Sequence, residues 1–376
     1  MQGQWKEKIS LWQLFVLTVI FEMGDAIVMN IGSDAKRDAW FAVFIASIPG
    51  FILLWIFHSL LSRFPGKNLF DIFEVSYGRI VTVGLTIAYS VYFFYLSAFV
   101  MRDFVDLMGV AILPNTPSEV IAIVMMFVVS YLLYLGLEVI ARVAEVLFPY
   151  MVMFIFLLAL LLLVIGEVDL RNVQPVLAEG IQPIMKAIFP TLLSFPIGEV
   201  TIILTVLMAS TSHFSYARKV GMAALATGSF IIIFTVFLQI SVMGFEARSR
   251  YPFPLMFISR LVSFAHFFER IDAVVVFLMM IGIMLKICVF NFIGLKGLEY
   301  VFRLPYRPFV VPMSMIVAFT SIVHAENIAE LMVKGFKILP PYVHMPFQIY
   351  IPLLTFLVVR LKQRNRFPVR KRGSDE

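Results

Sequence analysis

Three acidic residues lie in stretches of the chain that are otherwise apolar enough to enter a membrane. Glu199 lies in the apolar run 184–207, and Glu22 and Asp25 lie in the first apolar run of the sequence. A charged side chain at the bilayer centre costs about 2.5–3.5 kcal/mol on insertion scales, so such residues indicate a functional site. We expect these carboxylates to hold the amine of a small ligand or to exchange a proton.

The same two runs contain residues that interrupt helices. Pro196 cannot donate a backbone hydrogen bond, Gly198 destabilises a helix, and Gly24 stands beside an acid. In lipid the freed backbone groups must find partners, so such breaks persist only inside protein or beside a wet cavity. We predict two interrupted helices that meet at mid-membrane, where freed amides bind a ligand carboxylate. The alternative is that the acids cap helix ends or lie protonated in the core.

Glu22 and Lys286 are the candidate coupling or gating residues. Glu22 is three residues from Asp25, which predicts that both acids share one helical face. Lys286 lies inside an apolar run that has no acid near it, so a partner must come from another helix. It can replace a coupling cation and lock helices together, or it can snorkel to the membrane surface.

The third apolar run carries two further sets of candidates. Arg102 and Asp106 are four residues apart and are predicted to pair. We therefore expect the cluster of Arg102, Asp103 and Asp106 to be a structural pin, which holds helices together, rather than a ligand site. Tyr92 and Leu96 share a helical face that can line a pocket or merely pack.

The composition places the whole chain in the membrane. Its 376 residues are 61% hydrophobic and 14% charged, with a mean hydropathy of +0.94. Membrane helices need about 17–25 apolar residues each. We predict a single membrane domain, 1–376, with a basic cytoplasmic tail, 362–376. The ten predicted spans are 11–31, 40–61, 80–110, 118–137, 144–166, 184–207, 220–245, 271–300, 309–323 and 342–361.

The spacing of unusual spans predicts an internal repeat. Interrupted spans 1 and 6 are five apart, as are the long spans 3 and 8, and an odd offset reverses direction through the bilayer. This pattern is typical of two inverted five-helix repeats, here 11–166 and 184–361, each opening with a discontinuous helix. The predicted fold is therefore an all-α integral membrane protein of ten transmembrane helices.

Charge predicts the orientation. Of the 30 basic residues, 18 fall on the side of the C-terminal tail and 10 on the other, so both termini are expected to be cytoplasmic. The outer loop 246–270 includes an amphipathic segment, 255–268, predicted to be a surface helix. The net charge of +6 is assigned to membrane orientation rather than to nucleic-acid binding.

Several classes of protein are not supported by the sequence. It contains no phosphate-binding loop, no dinucleotide turn and no Cys/His metal set, and its single cysteine, Cys288, excludes an internal disulfide. We expect no cofactor and no metal. An enzyme is therefore a poor interpretation. A channel is also a poor interpretation, because the sequence shows no ring of pore residues and no filter signature.

Short motifs along the chain resemble the spore germination permease family, the B subunits of germinant receptors in endospore-forming bacteria. The motifs are Ser-Phe-Pro-Ile-Gly-Glu-Val at 194–200, Gly24 with Ala26-Ile27, Arg-Asp-Phe at 102–104, Leu-Pro-Asn-Thr-Pro at 113–117, and Lys286-Ile287. The resemblance implies a branch of the amino acid–polyamine–organocation superfamily with a LeuT-like fold. It also implies sensing of a small germinant, commonly an amino acid, in a complex with an A subunit and a lipoprotein C subunit in the spore inner membrane.

The resemblance also implies that the two helix breaks form the germinant pocket. The candidate ligand-binding residues are Gly24, Asp25, Ala26, Ile27, Tyr92, Leu96, Phe195, Ile197, Gly198 and Glu199. Asp25 and Glu22 depart from the small or neutral residues usual in the family, which favours a ligand with an additional cationic or hydroxyl group. A proton- or cation-coupled amino acid or amine transporter uses the same pocket and remains the alternative, and a structural membrane anchor is a third interpretation.

Overall fold

The computed structural model describes residues 7–262 and 271–366, and these form a bundle of helices joined by short turns. Within these ranges a lone β-bridge joins Ile9 to Thr211. The α-helices, numbered along the chain, are α1 Leu11–Met23, α2 Ala39–Leu61, α3 Leu69–Tyr77, α4 Arg79–Ala111, α5 Ser118–Leu135, α6 Leu137–Val164, α7 Gln182–Ala187, α8 Glu199–Leu207, α9 Phe214–Arg250, α10 Pro254–Arg260, α11 Ile271–Phe302, α12 Val310–Val323, α13 Ile328–Val333 and α14 Ile351–Arg366. A π-helical segment, Ile188–Gly198, joins α7 to α8.

Eight helical stretches of the described residues are long and apolar enough to cross a membrane. They correspond to predicted spans 2 to 8 and 10. A ninth stretch consists of Arg307–Val323 and Ile328–Ile338, which are bent by 106° at the break between them. The chain is thus a multi-pass membrane protein, and the count of ten spans stays a prediction.

The first predicted span is only partly helical. Helix α1 has 13 residues and ends at Met23, whereas the prediction extended to residue 31. At about 1.5 Å per residue it reaches roughly 20 Å, less than the ~30 Å hydrocarbon core. The remainder of the span, residues 24–31, consists of turns and a bend. The predicted discontinuity is therefore present, but without a second helical half.

The two longest predicted spans form the centre of the bundle. Helices α4 and α11 have 33 and 32 residues, as their apolar runs indicated, and they pack against each other. Small residues permit the close approach: Gly297 lies against Ser90, and Gly294 lies against the ring of Phe94. Such small-residue contacts are typical of helix packing within membranes.

The predicted pairing within α4 is present. Arg102 Nε donates to both carboxylate oxygens of Asp106 at 3.1 Å, and its Nη1 donates to the carbonyl of Ile322 at the end of α12. We expect Arg102→Gln to lower the free energy of unfolding by about 1–3 kcal/mol, because it removes charge-assisted hydrogen bonds from a buried site. Thermal unfolding in detergent measures this, with the exposed Arg142→Gln as control. Equal losses of stability for the two substitutions would contradict the role of Arg102 as a structural pin.

The predicted outer loop is shorter than expected. Helix α9 continues to Arg250, bending at Gly244, whose φ of 70° is left-handed. Helix α10 covers the start of the predicted surface helix 255–268, and residues 263–268 lie outside the described residues. The basic tail beyond residue 366 also lies outside them. The orientation of the termini stays a prediction.

Candidate functional site

The interruption of the first span is built around Gly24. Helix α1 starts with a capping box between Ser10 and Gln13 and ends where Gly24 adopts φ 16° and ψ −110°. A Cβ on Gly24 would lie 2.8 Å from the Cδ of Lys286. A glycine is needed here because the lysine stem crosses the end of the helix at that point. The carbonyl of the next residue, Asp25, then accepts turn hydrogen bonds from the amides of Val28 and Met29.

Polar side chains of α9 take over the carbonyls freed by this break. Gln239 donates to the carbonyl of Ile27 at 3.2 Å, and Arg248 donates to the carbonyl of Ile31 at 3.0 Å. Arg248 also donates to the Gln239 side chain at 2.9 Å and is 2% exposed. Arg248 falls in the predicted outer loop 246–270, and this prediction is wrong for it because it belongs to α9. Little in the sequence indicated that Arg248 is buried, since basic residues near the end of a span usually reach water.

The interruption of span 6 falls immediately before a proline. Phe195 has φ −124° and ψ 122°, an extended conformation that proline favours in the residue before it. The hydroxyl of Ser194 bonds back to the carbonyls of Pro190 and Thr191. Helix α8 then begins at Glu199, whose carboxylate lies in the first turn, where a helix dipole favours negative charge.

Lys286 joins the two breaks. Its Nζ lies 2.6 Å from Oδ1 of Asp25 and 2.6 Å from Oε2 of Glu199, and the lysine is fully buried. The ring of Phe195 lies 4.6 Å from the same nitrogen, at cation–π distance. The prediction of an acidic partner from another helix is confirmed, with two partners instead of one, and the snorkelling alternative is wrong. One ammonium group therefore ties α11 to both interrupted spans.

Beside this ion bridge lies a small cavity. Its volume is about 30 Å³, which is enough for about two water molecules. The residues that line it are Asp25, Met29, Leu96, Phe99, Val100, Asp103, Phe195, Glu199, Leu331, Met332, Gly335, Phe336 and His344. The structure thus brings together four of the predicted site residues: Asp25, Leu96, Phe195 and Glu199. In this conformation the cavity is much smaller than an amino acid.

The other predicted ligand-binding residues lie around the cavity without lining it. Tyr92 contacts His344 at 3.1 Å, accepts a hydrogen bond from Gln348 at 2.8 Å and stacks on Phe347. Three further residues are buried by neighbouring helices: Ile197 packs over Gly50 of α2, Gly198 lies against the Gln348 side chain, and Ile27 borders a second small cavity beside α6. Gly24 and Ala26 form the buried turn itself.

Glu22 and Asp25 do not share a face. Because α1 ends at Met23 and Gly24 redirects the chain, Glu22 points to α9, where it accepts a hydrogen bond from Ser229 at 2.6 Å. Its carboxylate lies against Gly228, where a Cβ would overlap it. The expectation of three carboxylates in one pocket is therefore wrong for Glu22, since helical spacing does not extend through a break.

The sequence missed a different acid. Asp103 lies on the cavity wall and is 2% exposed, and neither of its carboxylate oxygens has a hydrogen-bond partner among the described residues. The predicted pin includes Asp103, but Arg102 donates to Asp106 and not to Asp103. Its position on the helix could have indicated this. Arg102 reaches Asp106 four residues on, whereas the side chain of Asp103 is turned about 100° around the helix from that of Arg102.

Comparison with protein families gives a match over most of the chain. The family described as "Spore germination protein" matches residues 8–329. Spore germination protein KB of Bacillus subtilis (strain 168) is 30% identical over 363 residues, which cover 96% of this chain and 97% of that protein. Putative spore germination protein YfkT of the same strain is 26% identical and covers 88% of this chain and 89% of its own length.

Two solved transporters share the architecture. MhsT in complex with L-phenylalanine superposes with a TM-score of 0.68 over 96% of this chain and 97% of that chain, at 13% identity. Mhp1, a nucleobase-cation-symport-1 family transporter, gives a TM-score of 0.67 over 99% of this chain and 85% of that chain, also at 13% identity. At this identity the likeness shows the fold alone, and it confirms the predicted LeuT-like, all-α class with interrupted first and sixth spans.

Proposed function

This chain belongs to the spore germination protein family, and on that premise we propose that it is the membrane subunit of a germinant receptor that binds a small ligand, an amino acid being the first candidate. The ligand lies between the breaks at Gly24 and Phe195. MhsT, which has the same fold, was solved with L-phenylalanine bound, and this supports an amino acid as the ligand. We assign the protein no enzymatic activity.

The observation that carries the proposal is the ion bridge at the junction of the breaks. Buried charges are costly in a membrane, and here one lysine bridges two acids, Asp25 and Glu199, at the wall of a cavity. A ligand ammonium that takes one of these carboxylates leaves Lys286 bound to the other. Binding would thereby release α11 from one of the two interrupted spans, which is a structural change that a partner subunit can sense.

Access to the site requires movement of one segment. A vestibule of about 480 Å³ is lined by residues from 30–34, 249–252 and 328–337. It shares Met332 and Phe336 with the small cavity of about 30 Å³. These two residues therefore border both the vestibule and the cavity that holds the acids. We propose that the segment 328–337, which follows the 106° bend, moves when a ligand enters.

The setting of the receptor follows from the family and the charge distribution. We propose a complex with A and C subunits in the spore inner membrane, with both termini in the cytoplasm. The excess of lysine and arginine on the side of the C-terminal tail supports this orientation.

Ligand binding is tested with the purified full-length protein. Amino acids, sugars and nucleosides are screened for an increase in unfolding temperature, and a solute at about 100 times its Kd should add about 2.7 kcal/mol of stability. The same labelled solute is then offered to proteoliposomes. Stabilisation without uptake supports a sensor, and uptake supports the transporter alternative. A screen in which no solute stabilises the protein would overturn the proposal.

A further inference from the structure

Asp103 is a buried acid that neither the ion bridge nor the helix pin uses. It lies on α4, 2% exposed, and its two oxygens have no hydrogen-bond partner among the described residues. The neighbouring Arg102 is bound to Asp106 and to the carbonyl of Ile322. A buried carboxylate without partners is costly, so its presence at a cavity indicates a group that arrives from outside the chain.

The charge of the cavity indicates what that group is. Three carboxylates line it, those of Asp25, Asp103 and Glu199, and no lysine or arginine is among the described residues of its wall. Lys286, behind the wall, contacts Asp25 and Glu199. Because one ammonium faces three acids, a neutral hydroxyl at Asp103 would leave the excess negative charge as it is, whereas a cation would offset one of the two excess charges.

The surroundings of Asp103 also suit a cation. Phe99 and Phe336 line the same cavity, and aromatic faces attract ammonium groups. His344, the remaining titratable lining residue, has its Nδ1 3.1 Å from the Tyr92 hydroxyl. Gly335 allows the ring of Phe99 to lie close to this wall, because a Cβ there would lie 2.7 Å from the ring.

We propose that Asp103 is a specificity-determining residue that binds a cationic group of the ligand, so that the site selects solutes bearing an ammonium group near Asp103 over their neutral counterparts. This inference depends on the proposed ligand site and deepens it, since it names the ligand class. The acid that selects the ligand is thereby distinct from the two that Lys286 bridges.

Matched pairs of probes test the selection. L-lysine is compared with L-norleucine, and D-glucosamine with D-glucose, by the concentration that half-saturates the rise in unfolding temperature. For at least one pair, we expect the half-saturating concentration of the cationic member to be at least about tenfold lower than that of its neutral partner, because a hydrogen bond to a buried charge is strong. In Asp103→Asn the two members should differ by no more than about threefold.

The controls separate recognition from folding. Asp106→Asn removes an acid from the same helix outside the cavity and should keep the discrimination. Without ligand, Asp103→Asn should unfold at a temperature equal to or above that of the unmodified protein, because an unpartnered buried charge is gone; a structural role would lower it. Asp103→Leu serves as a second variant, and its unfolding temperature without ligand is likewise expected to equal or exceed that of the unmodified protein.

The outcomes are distinguishable. If neutral probes stabilise the protein as well as their cationic partners, if neither pair acts while another solute does, or if Asp103→Asn keeps the discrimination, the inference is overturned and the proposed function stands. If no solute of any class stabilises the protein, both fail.

Discussion

Lys286→Met is expected to lower the free energy of unfolding by about 3–5 kcal/mol, the range measured when one partner of a buried ion pair is removed. The substitution keeps most of the length of the stem but leaves Asp25 and Glu199 buried without their shared cation. It also removes the cation from beside Phe195. Thermal or chemical unfolding of the purified protein in detergent measures the loss.

A charge-matched variant separates the ion bridge from simple packing. Lys286→Met combined with Asp25→Asn and Glu199→Gln carries no charge at the junction, and it should recover most of the lost stability because no buried ion is left unpaired. If the single substitution has no effect, or if the triple variant is as unstable as the single one, Lys286 does not join the two interrupted spans in the way the structure shows.

Glu199→Gln and Asp25→Asn should each raise the concentration of ligand needed for a response by about tenfold or more. Each acid lines the cavity and can accept a hydrogen bond from a ligand ammonium, and such charge-assisted bonds commonly contribute about 1.5–3 kcal/mol. The measurement is a dose–response curve, either for germination of spores that carry the variant or for thermal stabilisation of the purified protein.

Both variants keep one partner for Lys286, so the protein should still accumulate in the membrane. The matched control is Glu145→Gln, which neutralises an acid on α6 that binds Gln13 at 3.1 Å, outside the cavity. This control substitution should leave the dose–response curve unchanged. Unchanged curves for both cavity variants would refute the binding site at the two breaks while leaving the fold intact.

The local features of the site were predictable because they depend on covalent chemistry. Pro196 lacks a backbone donor, Gly198 destabilises a helix, and a membrane requires a partner for every freed backbone group. These rules located one break near Gly24 and the other around Pro196 and Gly198. Both interruptions are present, but the second lies at Phe195, and Gly198 itself is helical. The long spans α4 and α11 and the Arg102–Asp106 pair followed from apolar length and helical spacing in the same way.

Long-range contacts were not predictable to the same degree. The sequence required a partner for Lys286 from another helix but did not identify Asp25 and Glu199, which lie 261 and 87 positions away. The prediction that Glu22 and Asp25 share a face failed because it assumed a helix through Gly24. Arg248 was misplaced for a related reason: its partners are carbonyls freed by a distant break.

The sequence by itself determined that this is a multi-pass membrane protein whose costly acids stand at two interrupted spans, since hydropathy, proline and glycine act within a few residues of where they stand. The tertiary structure alone decided which acids face one another, which acid is turned to the cavity without a partner, and how far the cavity is closed. These depend on the rotation and approach of whole helices, and sub-ångström differences in packing decide whether a carboxylate meets an ammonium or an empty space.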